Sequence, residues 1–194
     1  EVGIEKLFLH GNKVEDILQH GINSMSYPIS VELTLTNRCN LHCVYCSDQD
    51  LRERQGKDAF LDYNILNRLF KDLAKGGTKG VVFEGGGEPT LHPDFSKLVE
   101  SAKENNLAVG LITNGTVRLS ESDLQNLEWI RVSLDASNAE EYTSLKGVDY
   151  FERVLSNIAH YAQHCGTVGV GYVVTNSNLS DIETLILRLR ELNV

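Results

Sequence analysis

Residues 29–46 read ISVELTLTNRCNLHCVYC. The first eight alternate, with Ile29, Val31, Leu33 and Leu35 falling on one side, and they are rich in β-branched residues. That pattern predicts a strand over 29–36. The strand runs straight into Cys39, Cys43 and Cys46, spaced C-x3-C-x2-C. A strand that ends in a crowded cysteine loop makes the rest of the chain a question of what else reaches the same end.

Downstream the order of strand, loop and helix repeats. Ile65, Leu66, Leu69, Phe70, Leu73 and Ala74 recur at helical spacing, and Gly76-Gly77 supplies the stop. Val81, Val82 and Phe83 form a short buried strand leading into Gly85-Gly86-Gly87-Glu88-Pro89. Pro93 is expected to start a helix whose face is Phe95, Leu98, Val99 and Ala102. A strand over 107–113 ends in Asn114-Gly115, and Ser120 with Asp123 caps a short helix. A strand over 129–134 ends at Asp135, and Phe151, Val154, Leu155, Ile158 and Ala159 face one side of the next helix. A fifth strand spans 168–174, after which Ser180 with Glu183 is expected to cap a last helix carrying Ile182, Leu185, Ile186 and Leu189.

Five consecutive βα units predict an α/β fold with a parallel sheet and right-handed crossovers. The expected architecture is a partial (β/α) barrel, half to three-quarters of a TIM-like one. Residues 29–194 form this core, and 1–28 form an N-terminal extension. In the extension Leu7, Phe8, Val14, Ile17 and Leu18 suggest a short helix ending near Gly21, then a linker through Ser24, Ser26 and Pro28. A parallel barrel normally continues past such a final helix and the first residue is not Met, so a longer protein is expected.

Composition narrows the function. Lys and Arg number 18 against 27 Asp and Glu, a net charge of −9. Duplex nucleic acid would find no basic footprint, so a small molecule, peptide or protein is the expected substrate. No apolar stretch in these residues is long enough to span a membrane, and the first residues lack the basic-then-apolar pattern expected of a secretion signal. Three of the four cysteines lie within eight residues. Cysteines so crowded cannot staple separate loops; they read as metal or cluster ligands in a reducing cytoplasm.

In parallel β/α folds functional groups gather at the C-terminal ends of strands. By that rule the cysteine loop, Gly85 to Pro89, Thr113-Asn114-Gly115, Ser133-Leu134-Asp135 and Thr175-Asn176 share one rim. Thiolates favour zinc and iron–sulfur clusters. Three of them leave one cubane iron without a protein thiolate, and an open position is what makes a metal centre catalytic. The alternative is a structural zinc knot completed by His42 or Cys165. Gly86 and Gly87 permit close backbone approach, and Glu88 can accept from an ammonium; the alternative is a plain glycine-rich turn. Asn114-Gly115 is also a common turn dipeptide, and Asp135 is equally readable as a turn or cap residue. His92-Pro93-Asp94 reads as a helix start. Cys165 reads as a helix-end thiol, while Arg38 and Arg131 read as solvated charges. Glu84 has no assigned role, though it could face the site.

The cysteine spacing, with Tyr45 before the last cysteine, resembles the radical S-adenosylmethionine superfamily. Gly86-Gly87-Glu88-Pro89 is similar to its glycine-glycine-glutamate motif, and the resemblance covers roughly residues 29 to 175. It implies a 4Fe-4S cluster on Cys39, Cys43 and Cys46, with S-adenosylmethionine chelated by the fourth iron. Reductive cleavage would give methionine and a 5′-deoxyadenosyl radical that abstracts hydrogen from a substrate. The electron would come from a donor such as flavodoxin or ferredoxin. The resemblance places Tyr45 near the adenine, Gly86, Gly87 and Glu88 near the methionine amino group, and Ser133 and Asp135 near the ribose and methionine; Asn114 also matches a family pattern. The run from Gly86 to Phe95 is most similar to the group of molybdopterin-cofactor synthases and peptide-maturing enzymes. Those relatives often carry auxiliary clusters, for which these 194 residues hold no second set of cysteines. Two other readings remain at this point: a non-catalytic iron–sulfur or zinc module, and an activase that installs a glycyl radical.

Overall fold

The computed structural model describes residues 10–21, 27–176 and 178–194. Leu7, Phe8, Ser24 and Ser26, named above for the extension, lie outside the described residues. The helix expected there is present as α1, Gly11–His20.

Five strands make one open sheet in sequential order: β1 (Ser30–Thr34), β2 (Gly80–Glu84), β3 (Ala108–Thr113), β4 (Trp129–Ser133) and β5 (Val168–Gly171). Every adjacent pair is parallel, with Ser30 opposite Gly80, Gly80 opposite Ala108, Gly110 opposite Trp129 and Ile130 opposite Val168. The helices between them are α2 (Gln49–Gln55), α3 (Tyr63–Lys75), α4 (Phe95–Glu104), α5 (Glu121–Asn126), α6 (Ala139–Lys146) and α7 (Phe151–His164), and α8 (Ile182–Glu191) follows β5. This is the partial barrel that the alternation of elements predicts.

Period-two alternation divides the sheet. Val81, Phe83, Val109, Leu111, Ile130 and Val132 are buried against Phe70 of α3, Leu98 and Val99 of α4, Leu124 of α5 and Val154 and Ile158 of α7. Phe83 stacks on Phe70 at 6.1 Å and meets Phe95 edge-on at 6.3 Å. Each such side chain contributes about 1.5–3 kcal/mol by leaving water. The opposite, concave face carries Val82, Glu84, Gly110, Ile112, Arg131 and Ser133. A Cβ at Gly110 would lie 2.3 Å from the Trp129 ring, so only glycine lets that indole cross β3.

Several boundaries differ from the sequence reading, each for a local reason. β1 leaves the sheet after Thr34, because its next residues pair with 59–61 instead: Asn37 N–H donates to Ala59 O at 2.8 Å and Leu61 N–H to Leu35 O at 2.9 Å. β5 ends at Gly171 and not at 174, because side chains take over its backbone groups. Val173 N–H donates to Asp135 Oδ1 at 2.7 Å, and Asn178 Nδ2 donates to Val173 O at 2.9 Å. Pro93 precedes α4 in a turn and does not start it; Asp94 is the residue before the first turn. Ser120 caps α5 as expected, its Oγ accepting from Asp123 N–H. Ser180 does not cap the last helix. It lies in a 3₁₀ turn (Leu179–Asp181), its hydroxyl donates to Asp181 Oδ1, and Asp181 precedes α8.

Candidate active site

The C-terminal ends of the strands converge on a cavity of about 520 Å³, of the size that holds a cofactor or small ligand. Cys39, Cys43, Cys46, Tyr45, Gly86, Gly87, Glu88, Asn114, Ser133 and Asp135 all line it. The rim rule thus brings these ten residues to one place, while Thr175 and Asn176, assigned to the same rim, are not part of the lining.

The cysteine loop is held from two sides. From β2, Glu88 N–H donates to Arg38 O at 2.7 Å. Gly87 packs so tightly there that a Cβ would lie 2.4 Å from both Arg38 O and Thr36 O. From the other side comes the C-terminal turn of α6, a helix the apolar pattern did not reveal. Its Lys146 and Leu145 carbonyls accept from His42 N–H and Val44 N–H, each at 3.0 Å. Those bonds flank Cys43 and use helix-end carbonyls that have no partner within the helix. Gly147 then turns the chain away with φ 77°, where a Cβ would press on His42 at 3.1 Å.

Asp135 is the hub of this side. It takes φ 61°, a left-handed conformation that aspartate tolerates better than most residues. Its carboxylate accepts from Tyr45 Oη at 2.6 Å, from Val173 N–H at 2.7 Å and from the Lys146 ammonium. Lys146 and Asp135 form an ion pair that is almost wholly buried. The ammonium also lies 5.3 Å from the centre of the Tyr45 ring. Burial, reinforced by the Asp135 hydrogen bond and charge, pushes the Tyr45 phenol far above its ordinary range, so it is a fixed donor. Burial likewise raises the Cys43 thiol, while Lys146 pulls it back.

Glu88 is buried and plays the same part on the opposite side. Its Oε1 accepts from Thr90 N–H, Thr90 Oγ1 and Thr113 Oγ1, and its Oε2 accepts from Asn114 N–H at 2.7 Å. Burial raises its carboxyl, and those four donors oppose the rise. Both oxygens are therefore engaged with the ends of β2 and β3. Asn114 continues the chain of bonds, donating to Asn40 Oδ1 at 2.9 Å with Cys39 Sγ at 4.0 Å. Asn40 in turn donates to Thr116 Oγ1 at 2.8 Å.

Other groups remain available. The Ser133 hydroxyl faces the cavity and bonds to no described residue. Gly86 has no atom nearer than 3.8 Å to a built Cβ, so its backbone is open to a ligand. The three thiols are unpaired and half-buried. Among the described residues no three His, Cys, Asp or Glu side chains converge on one metal position. Of the two residues named above as completing a zinc knot, His42 lies outside the lining of this cavity. Cys165 is also in the wrong place. Its thiol lies between Leu127 O at 3.7 Å and Thr167 O at 3.6 Å, at the far end of the strands. Glu84 lies outside the cavity lining; burial and its neighbour Glu32 raise its carboxyl. Arg38 pairs with Asp58 on the surface, and Arg131 borders the cavity.

Lys146, Asn40 and Asn178 are site residues that sequence reading missed, while Thr113, placed on the rim as a strand end, proves to be a donor to Glu88. Lys146 had one usable signal, its position before a helix-ending glycine. The others are ordinary polar residues whose role comes from the partner brought opposite them.

Residues 33–189 match the model of the radical SAM superfamily, and the chain belongs to it. It is 29% identical over 175 residues to the tungsten-containing aldehyde ferredoxin oxidoreductase cofactor-modifying protein of Pyrococcus furiosus, covering 84% of this chain and 48% of that one. It is 28% identical over 183 residues to the mycofactocin maturase MftC of Mycobacterium tuberculosis, covering 88% and 44%. The structure of Streptococcus suis SuiB bound to the precursor peptide SuiA superposes with a TM-score of 0.75 at 20% identity, over 100% of this chain and 44% of SuiB. SuiB bound to S-adenosylmethionine gives 0.72 at 19% identity, over 98% and 42%. At that identity the likeness establishes the fold. The chain spans about half the length of the curated relatives it matches. No described helix is long and apolar enough to cross a membrane.

Proposed function

We propose that residues 29–194 are the catalytic core of a radical enzyme that holds a 4Fe-4S cluster on Cys39, Cys43 and Cys46 and S-adenosylmethionine in the adjoining cavity. The observation that carries the reading is three free thiols on one loop, beside a cavity whose wall still offers the Ser133 hydroxyl and the Gly86 backbone. When bound, these groups supply the one-electron cleavage of a sulfonium that yields a hydrogen-abstracting 5′-deoxyadenosyl group.

The chain's own residues do the positioning. Tyr45, fixed by Asp135 and Lys146, offers a ring face to an adenine. Ser133 offers a donor and acceptor to the ribose or the methionine carboxylate. Gly86 lets its backbone approach the methionine amino group. Glu88 and Asp135 shape the rim by fixing the strand ends and the loop. An electron donor of the ferredoxin or flavodoxin type and a reducing, cytoplasmic setting follow from the same reading. The SuiB structure holds a precursor peptide, which supports a peptide as the first substrate class to try.

The test is anaerobic reconstitution with iron and sulfide, reduction, and measurement of 5′-deoxyadenosine formed from S-adenosylmethionine. Wild type should form it, and Cys43→Ala should lose both the cluster absorbance and the product. A cluster that forms but leaves S-adenosylmethionine intact would instead mark a non-catalytic module.

A further inference from the structure

Helix α2 turns its arginine inward. Of its seven residues Arg52 alone is buried, at 8% exposure, while the neighbouring Leu51 is 48% exposed. Packing by itself would select the opposite, because leucine gains by leaving water and a guanidinium loses. The charge has no counter-ion in the fold: no Asp or Glu of a described residue pairs with it, and its side chain bonds to no described residue. Nor are its nitrogens sealed in. Among the described residues the sealed side-chain atoms without a partner are Glu141 Oε1 and Tyr142 Oη, so the guanidinium meets open space.

That space is double. Arg52 lines the cavity at the strand ends and also a side pocket of about 270 Å³, and the two share Cys39, Leu41 and Arg52. The other Lys, Arg, Asp and Glu side chains of the side pocket pair off. Arg38 meets Asp58 at 2.9 Å and Lys57 meets Glu53 at 3.2 Å, which leaves Arg52 as the unmatched cation. In a chain of net charge −9 this is a local excess of positive charge at a buried point. One unmatched positive charge suits a group with one negative charge. A carboxylate carries one and meets the planar guanidinium with both oxygens, whereas a phosphate ester carries about −1.5 to −2 at neutral pH.

We propose that Arg52 is the receptor for a carboxylate at the junction of the two cavities. The carboxylate has two possible sources: a substrate that reaches Arg52 through the side pocket, or the methionine half of S-adenosylmethionine. For the second, Arg52 N–H donates to Asp48 O at 2.9 Å, and Asp48 lies beside Gly86, where the methionine amino end is placed above. That source rests on the proposed function; the receptor itself does not.

The experiment uses Arg52→Met, which keeps the stem and removes the charge, and Arg52→Lys, which keeps the charge and loses the planar fork. In the metal-free protein, propionate replaces chloride at constant ionic strength while the melting temperature is followed. Wild type should melt higher as propionate rises, and inorganic phosphate should stabilise it less. Arg52→Met should not respond, and without propionate it should melt no lower than wild type, since it strands no cation. Arg52→Lys should respond less than wild type and covers the case in which Arg52→Met folds poorly. In the reconstituted protein, equilibrium dialysis compares S-adenosylmethionine with 5′-methylthioadenosine, which lacks the carboxylate. If Arg52→Met weakens the first about tenfold and leaves the second unchanged, the carboxylate is the cofactor's. If both bind as in wild type while the propionate response is lost, it is the substrate's. A wild type that gains nothing from propionate, together with S-adenosylmethionine binding that Arg52→Met weakens no more than methylthioadenosine binding, overturns the receptor. So do two variants that both melt well below wild type, and a phosphate response larger than the propionate one overturns the choice of carboxylate. A wild-type protein that takes up no cluster overturns the proposed function instead, and the propionate titration then decides the receptor alone.

Discussion

Replacing Lys146 with methionine tests whether the buried pair with Asp135 sets the shape of the rim. The two side chains are 2% and 3% exposed, so water does little to screen them. Methionine keeps the stem and removes the charge, leaving a buried carboxylate without its cation. Losing one partner of a buried pair costs about 3–5 kcal/mol. Asp135 retains two donors, Tyr45 Oη and Val173 N–H, which puts the expected cost at the low end, about 3 kcal/mol. For a chain of this size that corresponds to a melting temperature roughly 6–12 °C lower. Urea unfolding of the metal-free protein, followed by circular dichroism, measures it directly. Asp135→Asn removes the other charge while keeping an acceptor for Val173 and a residue type that tolerates φ 61°. In the double variant neither charge is stranded, so its cost should fall below the sum of the singles by about 2 kcal/mol. A Lys146→Met protein within about 0.5 kcal/mol of wild type, or a strictly additive cycle, would refute the reasoning.

The glycines and the free groups give further tests. Gly87→Ala drives a Cβ to 2.4 Å from two backbone carbonyls and should cost about 1–3 kcal/mol in urea unfolding. Gly86→Ala has 3.8 Å of room and should fold like wild type, yet weaken S-adenosylmethionine in equilibrium dialysis, because it narrows the cavity. Ser133→Ala should leave the melting temperature unchanged and weaken the same binding by about 1 kcal/mol, close to a factor of five. Burial raises the Cys165 thiol, so at pH 8 less of it is thiolate than in a free cysteine. Iodoacetamide followed by mass spectrometry should find Cys165 modified slowly at pH 8 and faster as the pH rises toward 10. Modification at the rate of free cysteine would contradict its burial beneath Leu127 and Thr167.

What the sequence made legible is what period and position encode. Alternation in 29–36 and helical spacing in 65–74 both depend on one face being buried, and both elements are present. The rim followed because strand ends of a parallel sheet must meet, so finding five strands also found the cavity lining. Helix α6 stayed hidden for a physical reason. Of its residues AEEYTSLK, the buried ones are Tyr142, Leu145 and Lys146, which give an apolar face too short to register a period. The end of β5 was hidden because Asn178 and Asp135 supply what a neighbouring strand would have supplied, and no local pattern announces a side chain that acts as a strand.

The roles of the two motif carboxylates show where residue type stops being informative. An acidic residue after glycines reads as an acceptor for an ammonium, and one at a strand end as a cofactor neighbour or a turn residue. In the folded chain Glu88 already accepts from Thr90, Thr113 and Asn114, and Asp135 from Tyr45, Lys146 and Val173. Each ties an element distant in sequence to the place where the cysteine loop must sit. Glu88 joins β2 to β3, and Asp135 joins β4 to the loop, to α6 and to the segment after β5. The groups left with unused hydrogen-bonding capacity are less conspicuous: the Cys43 sulfur, the Ser133 hydroxyl and the buried Tyr142 hydroxyl. Since polar groups in a folded interior are ordinarily satisfied, unused capacity is the better guide to where a cofactor makes its contacts, and charge is the better guide to what holds the site in shape.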